Sequence, residues 1–540
     1  MKDIVSGSST WLKAQAVPES PIKRPEPGSI FKVGGLAMAG LMPRKSAVSE
    51  KLLFFRGEAA ELWDALDRFS ADSAMDGVDI FGSPGIGKSC EVWAWLLCQF
   101  KLYDSSSTDC FALWVHMYMN RGQKCVMLKK SEISWVPISM SALETAGLVA
   151  RLNVKYIVLD GYRGNQPDQK KILEASAGNP HLLKGLKVVT VMSQAVHDLP
   201  TVDNDTLGIG THEMGPWTED ELKEACTHSA FLESVRDNLR ADNCQPSSQQ
   251  VAQLIERKYY YAGGNARWMF TFSFKEMLVD ICKHLEAAPN AEALFKGVMG
   301  IKSLQSSYHL MVRYKGTGNS FTKAFLASKY IASKLLQKCN ASTFRTAYDL
   351  ASHHANPAFL GWVVEFDFIS QMMASVETTN TLDFVNADGS KSAVTWQVPE
   401  VIDFNPDDDF DISAIPFGTW LKPVKWNQEG YDLTGLFQDS GQQGQFYLRF
   451  VQITNAAEHG MNLLYFRQLT DKVEKILGKK VGVEIILVSP VDTRGRSPTK
   501  IKVKFGDALN KTTIGATANV WTSECVETSI LRPFFVRQRA

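Results

Sequence analysis

None of the nine cysteines stands in a CxxC pair or beside a histidine cluster. Spread over positions 90, 98, 110, 125, 226, 244, 282, 339 and 525, they suggest neither a zinc site nor a disulfide framework. Reduced thiols and an intracellular location are the expectation. Net charge is also lacking: 58 Lys and Arg balance 58 Asp and Glu. A whole-molecule basic field for nucleic acid is thereby excluded, and any such surface must be local. No run of eighteen apolar residues occurs, so neither a membrane span nor a membrane partner is expected. The first twenty residues, "MKDIVSGSSTWLKAQAVPES", lack the apolar core of a signal peptide. No internal repeat is seen, and nothing in the composition sets an oligomeric state.

What is present is ordinary globular material, 45% apolar and 21% charged, in a chain of 540 residues that has room for two to four cores. Residues 1–44, with "PESPIKRPEPGS", read as a flexible linker. "PIKRP" doubles as a weak nuclear-import patch. From 45 to 215 short apolar runs, "GVDIFG", "CVMLKK", "KYIVLDG" and "LKVVTVMSQ", alternate with helical patterns. That alternation predicts a parallel sheet with helices on both faces. Residues 216–345 carry helical periods, with Thr218 capping "EDELKEA". The texture changes again over 346–540, where a helix is followed by the order strand, strand, helix, strand.

Between "GVDIFG" and the helical stretch "SCEVWAWLLCQF" stands "GSPGIGKS", which fits G-x-x-x-x-G-K-[ST] from Gly82 through Ser83, Pro84, Gly85, Ile86, Gly87 and Lys88 to Ser89. Glycines let the backbone curl so that successive N–H groups face phosphate oxygens. Lys88 reaches the β- and γ-phosphates, Ser89 can ligate Mg²⁺, and the helix dipole favours the anion. The expected cofactors are Mg²⁺ with ATP or GTP. Asp160 ends the strand in "KYIVLDG", where a carboxylate can hold the metal. Gly161 follows it, where a second acid would polarise water. Ser193 and Gln194 end "LKVVTVMSQ", as γ-phosphate sensors or as residues leaving the core. Arg267, after Gly263 and Gly264 in "GGNARWMF", reads either as a cis arginine finger or as a surface ion pair.

"GSPGIGKS", "YIVLDG", "GPWTEDEL" and "GGNARWMF", in this order and spacing, resemble the P-loop NTPase module of Crinkler and retrotransposon-hot-spot (RHS) proteins, over roughly residues 45–300. The resemblance implies a parallel-sheet P-loop NTPase with a helical extension, followed by an α/β restriction-endonuclease-like domain. It also implies an effector that family members secrete toward a host nucleus. The family's N-terminal header is not seen here.

That resemblance directs attention to a nuclease constellation in the last 195 residues. The candidates are Glu365, Asp432, Gln452 and Thr454, with Asp432 as a metal ligand. Strand period puts Gln452 and Thr454 on one face, and "QDSGQQGQ" is a turn that brings Asp432 alongside. Glutamine and threonine replace the family's usual glutamate and lysine, so two readings stand: a nuclease acting on DNA or RNA, or a degenerate binding module switched by nucleotide. His459 is a further phosphate-contact candidate. Arg494, Arg496, Lys500, Lys502 and Lys504 form either a backbone-tracking strand or a lysine-protected edge.

Overall fold

The computed structural model describes residues 15–16, 23–42, 50–102, 110–117, 123–129, 132–136, 154–162, 186–193, 208–239, 248–288, 294, 309–313, 324–336, 361, 363–365, 367–369, 380–385, 391–396, 400–404, 415–423, 430–438, 446–454, 458–461, 463–488, 502–505 and 527–531. It divides into two compact units, Met1–Ile331 and Ala332–Ala540. The sequence-based boundary at 345/346 lies inside the second.

In the first unit, β1 (Gln15–Ala16) is followed by β2 (Ser29–Gly34), which pairs antiparallel with β3 (Glu50–Phe55). Structure therefore begins inside the stretch read as linker. The reason is local: the turn-rich composition stops at Gly28, and in "SIFKVG" Phe31 and Val33 are buried, with Phe31 edge-on to Phe55 and Trp63. Next come α1 (Gly57–Ala71), β4 (Gly77–Phe81) and α2 (Lys88–Leu102). The sheet is completed by β5 (Cys110–Met117), β6 (Gln123–Lys129), β7 (Glu132–Val136), β8 (Tyr156–Tyr162), β9 (Lys187–Met192) and β10 (Ile209–Glu213).

Strand order is β1-β7-β6-β5-β8-β9-β4-β10. The run β5, β8, β9, β4, β10 is parallel, while β6, β7 and β1 join antiparallel at one side. The sheet is thus mixed. "CVMLKK" belongs to β6 and turns back on β5, because residues 118–122 are too few for a crossover of about a dozen residues. In β9 all six residues are buried, as a central parallel strand requires. Buried α2 residues include Val92, Trp93, Trp95, Leu96 and Leu97, so this helix is covered nearly all round.

The helical extension comprises α3 (Glu219–Ala225), α4 (Ser229–Leu239), α5 (Ser248–Ala262), α6 (Ala266–Phe270) and α7 (Phe274–Glu286), followed by the antiparallel pair β11 (Met311–Arg313) and β12 (Ala324–Leu326). Thr218 caps α3 in a reciprocal box with Glu221.

The second unit holds β13 (Asn380–Val385), β14 (Lys391–Trp396), β15 (Val401–Phe404), β16 (Trp420–Pro423), β17 (Leu433–Gln438), β18 (Phe446–Ile453), β19 (Glu458–Met461), α8 (Leu463–Leu477), β20 (Gly482–Val488), β21 (Lys502–Phe505) and β22 (Glu527–Leu531). Its main sheet runs β14-β13-β22-β20-β18-β17-β16-β15. β17 and β18 are antiparallel, and α8 carries the chain from β18 to its parallel neighbour β20. Phe450, Phe466, Leu469, Val473 and Ile485 lie together in the core beneath α8.

Candidate functional site

The loop between β4 and α2 is built from its carbonyls outward. Lys88 is buried, and its Nζ donates to Gly82 O at 2.8 Å and Ser83 O at 2.7 Å. Burial pushes the Lys88 ammonium down to about 7; Asp160 opposes this, while Arg267 and Arg56 add to it. The Ser83 hydroxyl, 3% exposed, has no hydrogen-bond partner among the described residues. A buried hydroxyl and a buried ammonium at one loop suit an oxygen-rich anion. Gly85 has φ +80°, and a Cβ there would lie 2.1 Å from Asn265 Oδ1, so glycine is required twice over.

Asp160 lies near the carboxyl end of β8, which runs two residues beyond it to Tyr162 rather than stopping at the aspartate, and β8 is separated from β4 by β9. Ser89 nevertheless reaches it across that gap, donating from Oγ to Asp160 Oδ1 at 2.6 Å. The other carboxylate oxygen, Oδ2, meets His116 Nδ1 at 2.5 Å. His116 is the penultimate residue of β5 and the register partner of Asp160. The sequence reading missed His116, although a polar residue near the end of an apolar strand is the same signal that marked Asp160. Ser193, half-buried, follows β9 at the strand edge between loop and carboxylate; Gln194 lies outside the described residues. Gly161 sits at φ +79° in a register shift of β8 against β9, and a Cβ there would be 2.9 Å from Met117 O. The glycine in the place of a second acid is therefore a backbone requirement.

Arg267 is exposed on α6, and its backbone N–H donates to Gly85 O at 3.0 Å. The guanidinium is near enough for its charge to depress Lys88. Lys88, Ser89, Asp160 and Arg267, four residues spread over 180 positions of sequence, are thus assembled around one loop, with Trp217 and Asn265 beside them as residues the motif reading did not single out.

In the second unit, β17 and β18 bring Asp432 against Gln452. Asp432 Oδ2 accepts from Gln452 Nε2 at 2.9 Å and from the Ile453 N–H at 2.6 Å. Thr454 is buried two residues along the same strand face, and its N–H donates to Val488 O. Glu365 is half-buried in the helical residues 363–365. His459 lies in β19, in register with Val503 of β21, rather than in the connection to α8. Lys502 and Lys504 belong to β21; Arg494, Arg496 and Lys500 lie outside the described residues. Among the described residues no group of three or more His, Cys, Asp or Glu is placed to hold a metal ion, and no helix is long and apolar enough to cross a membrane.

The chain is similar to AMPPCP-bound DnaA from Aquifex aeolicus at 10% identity, with a TM-score of 0.25 over 58% of this chain and 94% of that one. It is similar to Drosophila ORC bound to DNA at 15% identity, with a TM-score of 0.24 over 63% and 83% of the two chains. Likeness at that level carries no argument about activity. No family model matches the chain, and no curated protein matches it.

Proposed function

We propose that the first unit binds and hydrolyses a nucleoside triphosphate, ATP or GTP, with Mg²⁺ at the loop Gly82–Ser89. We propose further that this controls the second unit, a restriction-endonuclease-like domain acting on DNA or RNA. The observation that carries the first part is the convergence of Lys88, Ser89 and Asp160 on one loop at a strand-to-helix junction, beside a Ser83 hydroxyl that has no partner among the described residues. In this reading Lys88 binds phosphate, Ser89 and Asp160 hold the cation, His116 orients Asp160, and Arg267 approaches the terminal phosphate. A bound Mg²⁺ would neutralise phosphate charge. The residues fit such a ligand, since the buried groups at the loop are donors for anionic oxygen.

The resemblance to Crinkler and RHS proteins supports the coupling to a nuclease-like partner domain and an effector role. Titration calorimetry with Mg–ATP and Mg–GTP tests the reading: wild type should bind one of them, and Lys88→Ala should abolish that binding. A wild type that binds neither at millimolar nucleotide overturns it.

A specific observation favours the second reading of the C-terminal unit, a degenerate module that binds without cutting. One oxygen of Asp432 is already engaged by a backbone N–H and by an amide that replaces a carboxylate. Cleavage of plasmid DNA and of RNA in Mg²⁺ and Mn²⁺, wild type against Asp432→Ala, separates the two. Cleavage lost in the variant supports the nuclease; retained nucleic-acid binding with no cleavage by either protein supports the switched module.

A further inference from the structure

A loop that offers N–H groups to an anion must turn its carbonyls the other way, because the C=O and N–H of a trans peptide point in opposite directions. Outward carbonyls in a buried loop need donors of their own. The Gly82 and Ser83 carbonyls instead face Lys88 Nζ, the cation of the phosphate site, and Gly87 O takes the Glu91 N–H at 3.0 Å at the start of α2. For Gly85 O and Ile86 O the donors come from the helical extension. Trp217 Nε1 donates to Ile86 O at 3.0 Å, from 131 positions along the chain. The Arg267 N–H donates to Gly85 O at 3.0 Å.

Both donors are themselves fixed. Asn265 Oδ1 accepts from the Arg267 N–H at 3.1 Å and the Trp268 N–H at 3.2 Å, setting the turn that presents Arg267. The Trp217 N–H donates to Gly264 O at 3.1 Å, which ties the two donors together. The Trp217 ring is held between Phe54, Phe270 and the Arg56 guanidinium, with centroid distances of 6.0, 5.6 and 5.1 Å.

We infer that Trp217 and Asn265 are positioning residues for the phosphate loop, holding the Ile86 and Gly85 carbonyls outward so that the Gly87 and Ile86 N–H groups face the anion. The geometry stands on the loop's own hydrogen bonds; the consequence for affinity rests on the nucleotide reading above. The helical extension is then part of the phosphate site, and nucleotide affinity depends on how it is seated.

The test uses the full chain. Trp217→Phe keeps an aromatic ring between Phe54 and Phe270 while removing the Nε1–H and part of the indole's volume. Two quantities are read: Mg–ATP affinity by calorimetry, and hydrogen exchange at residues 82–89 in the nucleotide-free protein. Removing a donor from a buried carbonyl should weaken binding about tenfold or more. Loop exchange should rise more than exchange elsewhere in the first unit, while the melting temperature falls by only a few degrees. Should Trp217→Phe fail to fold, Asn265→Ala, which leaves the aromatic core in place, carries the same test. Unchanged loop exchange, or wild-type affinity in a protein that binds nucleotide, overturns the inference. If wild type binds no nucleotide, the nucleotide reading falls, and the exchange measurement alone decides whether Trp217 positions the loop.

Discussion

Lys258 offers a quantitative check on how the helical extension is held. It lies in α5, fully buried, and its Nζ donates to Asn238 O at 2.6 Å, Met269 O at 2.8 Å and Phe272 O at 2.6 Å. Two of those carbonyls belong to α6 and the turn after it, so the lysine pins the helix that carries Arg267. Replacing it with methionine keeps the stem and leaves one buried and two part-buried acceptors without donors, at up to about 1–3 kcal/mol each. Against this stands the ammonium. Burial pushes Lys258 down to about 7, with Glu276 pulling it back. One pKa unit is about 1.4 kcal/mol, so a gap of roughly 3.5 units disfavours the buried charge by about 5 kcal/mol.

The two terms are of the same order below pH 7, and Lys258→Met should then be only mildly destabilising. Between pH 7 and the ordinary lysine range the unfolded chain holds a proton that the folded chain has released. Wild-type stability therefore gains with rising pH in that window, and the gain is lost as pH falls through about 7. The variant has no such group. Its deficit should grow by about 1.4 kcal/mol per pH unit, or roughly 3 kcal/mol from pH 7.5 to 9.5. Urea unfolding of both proteins across that range reads the difference directly; the downward shift of Lys88 and the upward shift that burial gives the Glu91 carboxyl, to about 8, are common to both and cancel. A deficit that does not change with pH would refute the reasoning, because it would mean that three carbonyls keep the ammonium charged.

Three further outcomes follow from single distances or charges. Gly161→Glu should not install a catalytic base: with φ +79° and Met117 O only 2.9 Å from the new Cβ, it should lose about 1–3 kcal/mol of stability and gain no turnover, as read by thermal melts and phosphate release. Nucleotide binding should take up a proton above pH 7, because phosphate favours the charged form of a Lys88 that burial holds at about 7. Affinity should fall by up to tenfold per pH unit there, and equal binding heats in buffers of different ionisation enthalpy would contradict this. Gln452→Glu sets a carboxylate against Asp432, where the amide now stands at 2.9 Å. The variant should melt lower than wild type and recover with millimolar Mn²⁺, and a melt that ignores the metal would sink the idea of a latent metal site.

The phosphate loop was legible because chemistry fixes its residue types at fixed spacing, and β9 because a central parallel strand is apolar throughout. The direction of β6 was not legible, since an apolar run carries no sign of parallel or antiparallel pairing. β2 hid behind a proline-rich stretch whose composition ends abruptly at Gly28. His116 needed the β5–β8 register, which no local pattern contains. Lys258 reads in sequence as a solvated helix position, and only the converging ends of α4 and α6 give it three acceptors. In the second unit Asp432 lies beside Gln452, as strand period suggested, while the connecting residues 439–445 lie outside the described residues. Strand period could not say that the amide would donate to the carboxylate, which bears directly on whether that pair can take a metal.

The three segments "GSPGIGKS", "GPWTEDEL" and "GGNARWMF" lie far apart in sequence, yet each explains a residue in another. Gly85 has to be glycine because Asn265 lies over it. Asn265 is placed by the turn whose Gly264 carbonyl takes the Trp217 N–H. Trp217 in turn closes the circuit on Ile86 O. Arg56 ties the middle segment down from the start of α1, donating to Gly215 O at 2.6 Å and Pro216 O at 3.1 Å while its guanidinium lies over Trp217. A change in any one segment therefore reaches the loop through hydrogen bonds of about 3 Å, with no large movement needed. On this view the helical extension and the phosphate loop form one hydrogen-bonded object, joined through the backbone of Arg267 and the indole of Trp217.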